Sequence, residues 1–232
     1  MRFGFINTSS LIPSAAKSLC VVLLGPPASG KGTQGRRLAA SLGLGYLGTG
    51  MLLRQQMAMG TVLGNQAAPI LARGEYLPDD LMCPLLADWL SCQPGGWVLD
   101  GFPRSLQQVV FLDDWLAQRG STLDAAISLE IPFDEILARI SNRIECPDCH
   151  WTGHRGLLSM FGRCPMCSGQ TNRRADDDEE NFLSRHAEFV SLTQPVIEHY
   201  RRSNLLYSCD ATPPQDEVAS LLLEKFIYPS LS

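Results

Sequence analysis

A glycine-rich stretch near the start of the chain combines the residue types that bind phosphate groups. It has the sequence GPPASGKG from Gly25 to Gly32, with an apolar run before it and a helical pattern after it. Backbone N–H groups of such a loop point at an anion, the helix N-terminus adds partial positive charge, and Lys31 adds a full one. Gly32 stands where the general motif has Ser or Thr, and the hydroxyl is displaced to Thr33. The spacing predicts a phosphate-binding loop, with an ordinary tight turn before a helix as the alternative.

Four of the eight cysteines form two pairs with the spacing of a metal site. They are Cys146-x-x-Cys149 and, after 14 further residues, Cys164-x-x-Cys167. Two such pairs make a closed tetrahedral site of four thiolates, which is typical of structural zinc. His150 and His154 are close enough along the chain to compete as ligands, and two disulfides are a further alternative that an intracellular setting disfavours. The other four cysteines have apolar neighbours and are predicted to be core residues: Cys20, Cys83, Cys92 and Cys209.

Apolar runs alternate with helical patterns along most of the chain. Strands are predicted at 21–24, 45–48, 97–100, 125–131 and 205–208. Helices are predicted at 30–42, 51–59, 62–73, 79–90, 106–119, 133–143 and 216–227, and over a long stretch that opens at 176–180 and that Pro195 should kink or divide. This alternation implies right-handed βαβ units and a parallel sheet covered on both faces. The predicted fold is therefore doubly wound α/β, with a phosphate-loop core, one helical insert and one small Cys-rich insert.

Composition and charge exclude some classes of protein. The 232 residues carry a formal net charge of -5, which argues against a nucleic-acid binder that relies on bulk electrostatics. No run of 18 apolar residues occurs, so no membrane span is expected. Residues 1–19 lack an acidic residue and a sustained apolar core, so no secretory signal is predicted. An organellar transit peptide, a disordered extension and a misassigned start are the alternatives for this segment.

Four motifs in order along the chain resemble those of adenylate kinases of the long-lid type. They are GPPASGKGTQ, GTGMLLR, DGFPRSLQQ and RRADDDEENFLSR, and the resemblance runs from about Cys20 to the C-terminus. It implies a nucleoside monophosphate kinase that transfers the γ-phosphate of ATP to AMP with Mg²⁺. It also implies an extension (1–19), a core (20–47, 79–141 and 178–232), an AMP-binding insert (48–78) and a lid that binds structural zinc (142–177).

The resemblance assigns the donor nucleotide and the transferred phosphate to particular residues. The ATP phosphates would contact Gly25, Pro26, Pro27, Ala28, Ser29, Gly30, Lys31, Gly32 and Thr33. The catalytic set would be Lys31, Asp100, Arg104, Arg139, Arg143, Arg174 and Arg185. Asp100 ends an apolar strand and would hold Mg²⁺ through water, with a plain turn before Gly101 as the alternative. Arg139 and Arg143 would also contact ATP; they are four residues apart and predicted to share a helix face, with a solvated surface as the alternative for each arginine.

The acceptor nucleotide is assigned in the same way. The AMP-binding residues would be Thr49, Arg54, Leu77, Gly101, Arg104, Gln108, Arg174 and Arg185. A glutamine suits an adenine edge because its amide both donates and accepts hydrogen bonds. Pyrimidine nucleotide kinases of this superfamily usually carry Ala at the Thr49 position and Asn in place of Gln108, which favours AMP over UMP or CMP. Asp176 and Asp177 match the family's acidic pair and are interpreted as hinge and ion-pair residues, and the Phe102–Pro103 peptide is expected to be cis.

Four positions depart from the family pattern. Ala28 stands where the family usually has Gly, Met51 replaces an acidic residue, Glu75 replaces a Lys and His186 replaces a Leu. None of them removes a residue assigned to phosphate chemistry. A kinase for UMP or CMP, a catalytically weakened nucleotide sensor and, less favoured, a zinc-ribbon nucleic-acid binder are the alternative functions. The expected partners are ATP, AMP and ADP, without nucleic acid or membrane, for a monomeric protein in the cytoplasm or, alternatively, in an organelle.

Overall fold

The computed structural model describes residues 19–73, 75–173, 177 and 179–227. Among these residues the strands are β1 (Cys20–Leu24), β2 (Gly45–Gly48), β3 (Trp97–Asp100), β4 (Ala125–Glu130), β5 (Arg143–Glu145), β6 (Thr152–His154) and β7 (Leu206–Asp210). Five of them form one parallel sheet in the order β2–β3–β1–β4–β7, while β5 and β6 form a separate antiparallel hairpin. The predicted parallel α/β core is confirmed.

Helices cover both faces of the parallel sheet. The helices among the described residues are α1 (Lys31–Leu42), α2 (Thr49–Ala58), α3 (Val62–Ala72), α4 (Asp79–Ser91), α5 (Leu106–Ala117), α6 (Phe133–Asn142), α7 (Glu179–Glu188), α8 (Gln194–Arg202) and α9 (Gln215–Ile227). Alternate residues of β1 point to opposite faces, so Val21 and Leu23 pack with α1 and α9, while Val22 and Leu24 pack with α4, α5 and α8. Both faces of β1 are therefore buried, which explains its unbroken apolar sequence.

The register of the sheet brings two loops together at its carboxyl edge. In the pairing of β1 with β3, Leu23 lies opposite Asp100, and in the pairing with β4, Leu24 lies opposite Ser128. The glycine-rich loop after Leu24 therefore begins beside the end of β3. In an open parallel sheet this edge is where ligands bind.

A π-helical turn separates α7 from α8, as the position of Pro195 predicts. The proline has no N–H to continue the regular hydrogen bonding of a helix, and the turn at Phe189–Thr193 precedes it. Phe189 and Thr193 are buried, and the Thr193 hydroxyl donates to the carbonyl of Arg104 at 3.1 Å. The π-helical turn thus anchors the loop that follows β3 through Thr193.

Two predictions about local structure are wrong. Helix α6 ends at Asn142, and Arg143 adopts extended backbone as the first residue of β5, so Arg139 and Arg143 do not share a helix face. Cys92 is exposed because α4 ends at Ser91 and leaves it in solvent. Cys20 and Cys209 are buried as predicted, and Cys83 is half-buried. No helix of the described residues has both the length and the apolar character that crossing a membrane requires.

Besides the two hydrophobic clusters on the faces of the sheet, a small third cluster packs α6 against α7. Ile136, Ile140 and Phe182 are its buried members. His186 lies at its edge, with its ring centroid 4.8 Å from that of Phe133 and 5.7 Å from that of Phe182. Burial among these apolar groups lowers the pKa of His186.

This histidine predicts a pH dependence of stability. Because the pKa is lower in the folded state, the unfolded chain binds a proton first as the pH falls through about 6.5, and the free energy of unfolding decreases. We expect His186→Leu, which keeps an apolar group at this position, to reduce the loss of stability between about pH 7.5 and 5.5. Urea denaturation of both proteins at the two pH values measures this difference. Identical losses in the two proteins would contradict the assignment.

Candidate active site

An open cleft of about 1270 Å³ lies at the carboxyl edge of the sheet. It brings together most of the residues that the sequence predicts to bind nucleotides. Those that line it are Gly25, Pro27, Ala28, Ser29, Gly30, Lys31, Gly32, Thr33, Thr49, Arg54, Asp100, Gly101, Arg104, Arg139, Arg143 and Arg185. Pro26, Leu77 and Gln108 do not belong to the lining, while Arg174 and Asp176 lie outside the described residues.

The glycine-rich loop is held closed around Lys31. The ammonium group donates to the carbonyls of Gly25 and Pro26 at 2.8 and 2.7 Å. Burial lowers the pKa of Lys31 to about 8, and the charge of Asp100 acts in the opposite direction. The lysine is therefore a desolvated cation beside a carboxylate, and an anion bound in the loop would favour its protonated form.

Backbone conformation explains two residues of this loop. Gly25 has φ of 136°, and a Cβ there would lie 2.6 Å from the carbonyl oxygen of Leu129. Ala28 has φ of 62°, the left-handed region that costs an L-residue roughly 1–2 kcal/mol. The Ala28 methyl packs against the α6–α7 cluster, which offsets part of this cost. The alanine is thus compatible with the loop. It also packs the loop against α6 and α7, which carry the predicted phosphate-binding residues Arg139 and Arg185.

Asp100 faces the loop from the end of β3. Its Oδ2 accepts a hydrogen bond from the Tyr46 hydroxyl at 3.1 Å. A Cβ on Gly32 would approach this oxygen to 3.3 Å, so the absence of a side chain at position 32 leaves room for the carboxylate. A carboxylate with further lone pairs facing a cleft is a suitable outer partner for a hydrated cation.

The loop after β3 is braced from several sides. The Arg104 Nε donates to the carbonyl of Gly101 at 2.8 Å, and the Thr49 hydroxyl donates to the same oxygen at 3.2 Å. The peptide between Phe102 and Pro103 is cis, as the resemblance implied. These contacts place the Arg104 guanidinium at the cleft surface.

Two residues predicted to contact the acceptor have protein partners instead. The Gln108 Oε1 accepts from the backbone N–H of Arg104 at 2.7 Å, and its Nε2 donates to Asp79 at 2.6 Å. Leu77 is buried in the core that covers the α4–α5 face of the sheet. Gln108 therefore supports the Arg104 loop in this arrangement, and its reading of the acceptor base stays a prediction.

A buried carboxylate organises two of the arginines. Arg143 makes a bidentate contact with Asp177, one bond of which runs from Nε to Oδ2 at 2.6 Å, and Arg185 Nη2 lies 4.0 Å from Oδ1. The Asp177 side chain is 0% exposed. Arg139 instead donates to the carbonyl of Ala211 at 2.6 Å. The ion-pair interpretation of Asp177 is confirmed, and the carboxylate holds arginines from two elements in one place.

Sequence reasoning missed Tyr76, which also lines the cleft. Its ring lies under the Arg104 guanidinium, 3.9 Å from Cζ to the ring centroid. It follows the α2–α3 pair in the turn EYLP, where no periodic pattern marks a contact. Of the departures from the family pattern, Met51 lines the cleft, whereas Glu75 forms an exposed ion pair with Arg73 at 2.7 Å.

The four paired cysteines converge as their spacing predicts. Their Sγ atoms all lie within 4.8 Å of one another, and those of Cys146 and Cys167, like those of Cys149 and Cys164, are 3.5 Å apart. A tetrahedron with Zn–S bonds of about 2.3 Å has edges of about 3.8 Å. The same distances exceed a disulfide bond of about 2.05 Å, and all four residues are free thiols. This cluster could hold a metal, and neither His150 nor His154 belongs to it.

The buried ion pair predicts a large effect of a small substitution. Asp177→Asn leaves two arginines without their shared anion, so we expect the free energy of unfolding to fall by roughly 3–5 kcal/mol. Asp216→Asn is the matched control, because Asp216 pairs with Arg37 at 2.6 Å with its side chain 91% exposed. Such a surface pair contributes about 0–1 kcal/mol. Urea denaturation compares the two variants, and equal losses would refute the importance of Asp177.

Comparison with known proteins agrees with this geometry. A family model described as adenylate kinase matches residues 23–205. A protein named adenylate kinase from Agathobacter rectalis is 36% identical over 208 residues, which are 88% of this chain and 97% of that protein. Those of Thermosipho melanesiensis and Methanocella arvoryzae are each 37% identical, over 88% and 86% of this chain and 97% and 94% of their own lengths. The chain belongs to the adenylate kinase family.

Proposed function

We propose that this protein catalyses the reversible transfer of the ATP γ-phosphate to AMP, giving two ADP. The observation that carries the proposal is the convergence in one cleft of the phosphate loop, Asp100 and the arginines Arg104, Arg139, Arg143 and Arg185. The cleft volume of about 1270 Å³ exceeds the roughly 300–1,000 Å³ of a pocket for one small ligand. Two nucleotides placed end to end would account for both its size and its charge.

The chemistry needs positioning and charge neutralisation more than acid–base catalysis. An oxygen of the AMP phosphate attacks the γ-phosphorus, and the bond from that phosphorus to the β–γ bridging oxygen breaks as ADP leaves. The attacking oxygen is already anionic, so no strong general base is required. Holding the two nucleotides in line lowers the barrier by removing translational and rotational freedom before the reaction.

The donor side of the cleft is assigned to the glycine-rich loop and two arginines. Backbone N–H groups of the loop and the Lys31 ammonium would bind the β- and γ-phosphates. Arg139 and Arg143 border the same cleft from α6 and β5, and would neutralise charge on the transferred group. Arg143 would exchange part of its contact with Asp177 for a phosphate oxygen.

The acceptor side is assigned to Arg104 and to residues of the α2 helix. Thr49 and Arg54 lie on α2, and both line the cleft. Arg104 and Arg185 would bind the AMP phosphate, with Arg174 as a further predicted contact. Thr49 is only 1% exposed, so its contribution would come through the carbonyls of Asp100 and Gly101 that its hydroxyl contacts.

The residues present fit the two metals that this function implies. Asp100 would hold Mg²⁺ through water, as a hard cation that keeps its hydration requires. Bound Mg²⁺ would neutralise charge on the β- and γ-phosphate oxygens. The four cysteines would bind one structural Zn²⁺ with no open position for catalysis.

The domain limits follow from the same assignment. The core would comprise residues 20–47, 79–141 and 178–232. The AMP-binding insert would be residues 48–78, the lid held together by zinc would be residues 142–177, and the extension would be residues 1–19. Glu145, on the hairpin, and Met51, on α2, both line the cleft. Movement of either unit would therefore change access of water to the phosphates.

A coupled assay with a panel of acceptors tests the proposed function. ADP should form from ATP, Mg²⁺ and AMP, and AMP should be used more efficiently than dAMP, GMP, UMP or CMP. Tight binding of ATP and AMP without turnover would instead support a nucleotide sensor. Preference for UMP or CMP as the acceptor would instead indicate a pyrimidine nucleotide kinase.

Lys31 gives a prediction with a matched control on the same chain. Lys31→Ala should reduce turnover by roughly 10³-fold or more, because a cation at the transferred phosphate is lost. It should not lower the melting temperature greatly, since it also removes a desolvated ammonium group. Lys225→Ala, on α9 and outside the cleft lining, should retain activity. Near-normal turnover of Lys31→Ala would refute the loop assignment.

The cysteine cluster predicts one zinc ion per chain. Removing it with a chelator should lower the melting temperature and unfold the Cys-rich segment, while the parallel sheet stays folded. Cys164→Ser should lower the zinc content measured by atomic emission, and Cys92→Ser should leave it unchanged. Absence of zinc together with four missing free thiols would establish disulfides instead.

A further inference from the structure

Tyr76 borders the acceptor side of the cleft, whereas the next residue in the chain, Leu77, does not. Leu77 is 4% exposed and belongs to the hydrophobic core, whereas Tyr76 lines the cleft with its ring face against Arg104. The Cζ of Arg104 lies 3.9 Å from the ring centroid, well inside the range of a cation–π contact. The residue is therefore in direct contact with a cation of the site.

The same tyrosine is tied to the helix that carries Arg185. Its hydroxyl donates to the carbonyl of Arg185 at 3.5 Å, and its backbone N–H donates to Glu188 Oε1 at 3.4 Å. Burial raises the pKa of Tyr76, so the hydroxyl keeps its proton and remains a donor. Tyr76 thus connects the turn after α3 with α7.

These contacts restrict the Arg104 side chain without using its outer nitrogens. Its Nε donates to the carbonyl of Gly101 at 2.8 Å, which fixes one edge of the guanidinium, and the Tyr76 ring covers one face. Within the part of the chain that the structure describes, the hydrogen bonds of this guanidinium involve Nε alone. Its two Nη groups are left for a bidentate contact with a phosphate.

We propose that Tyr76 is a positioning residue for the acceptor phosphate, and that it acts through Arg104. The ring holds the guanidinium plane in the orientation that phosphate binding needs, and the backbone N–H bond to Glu188 holds the segment that carries the ring against α7. An arginine ordered in advance loses less side-chain entropy when the ligand binds. This inference rests on the proposed function, because it assigns Arg104 to the AMP phosphate.

Steady-state kinetics of two Tyr76 variants test the proposal. Tyr76→Leu removes the ring and should raise KM for AMP by roughly 3- to 30-fold, the range that cation–π contacts span between exposed and desolvated sites. KM for ATP should change by less than about twofold. Tyr76→Phe keeps the ring and should have a KM for AMP close to that of the wild type. Tyr207→Leu is the matched control, since Tyr207 faces Lys225 on α9 and lies outside the cleft lining.

A double variant separates positioning from general packing. If Tyr76 acts through Arg104, then adding Tyr76→Leu to Arg104→Met should produce little further increase in KM for AMP. Equal increases in KM for AMP and ATP, additive effects in the double variant, or an unchanged KM for AMP in Tyr76→Leu would overturn the proposal. Should Tyr76→Leu not fold, Tyr76→Met replaces it under the same criteria, and calorimetric titration with AMP measures affinity directly.

The outcome also distinguishes this inference from the function on which it rests. Wild-type protein that does not phosphorylate AMP refutes the proposed function. Wild-type protein that phosphorylates AMP, with variants that keep the wild-type KM for AMP, refutes only the role of Tyr76.

Discussion

Concentration of positive charge in one cleft is the constraint on which this structure depends. Lys31 and the described arginines of the predicted catalytic set, Arg104, Arg139, Arg143 and Arg185, border the same space, and like charges repel most strongly where water is limited. Each of these cations is compensated locally: Lys31 by loop carbonyls, Arg104 by the Gly101 carbonyl and the Tyr76 ring, Arg139 by a carbonyl after β7, and Arg143 with Arg185 by Asp177. The fold can therefore maintain a site prepared for polyphosphate before any anion arrives.

The parallel sheet determines where these groups meet. The register of β1 against β3 aligns the start of the glycine-rich loop with Asp100, and burial of both faces of β1 fixes that register. The remaining cations come from other parts of the chain, so no single motif could form the site. The Thr193 bond to the Arg104 carbonyl shows how the interrupted α7–α8 helix supports a loop that is distant in sequence.

The sequence allows prediction of the elements and of the motifs that end them, because apolar periodicity and glycine loops are local signals. The convergence of the four cysteines follows equally from spacing. Local signals fail where an orientation depends on tertiary contacts. Arg143 lies beyond the end of α6, the amide of Gln108 pairs with Asp79 and the Arg104 loop, and the Tyr76 ring stacks against the Arg104 guanidinium. No periodic pattern in the sequence predicts any of these contacts.

The carboxylate of Asp177 has a consequence for the catalytic cycle. Under the proposed site assignment, a nucleotide phosphate that binds Arg143 and Arg185 would compete with an anion that is already in place and excluded from water. The net gain on binding is then smaller than the direct contacts alone would give, for substrate and product alike. Asp177 would then act as an internal competitor of the ligand, which would limit how tightly ADP is retained and favour repeated turnover over storage of a bound nucleotide.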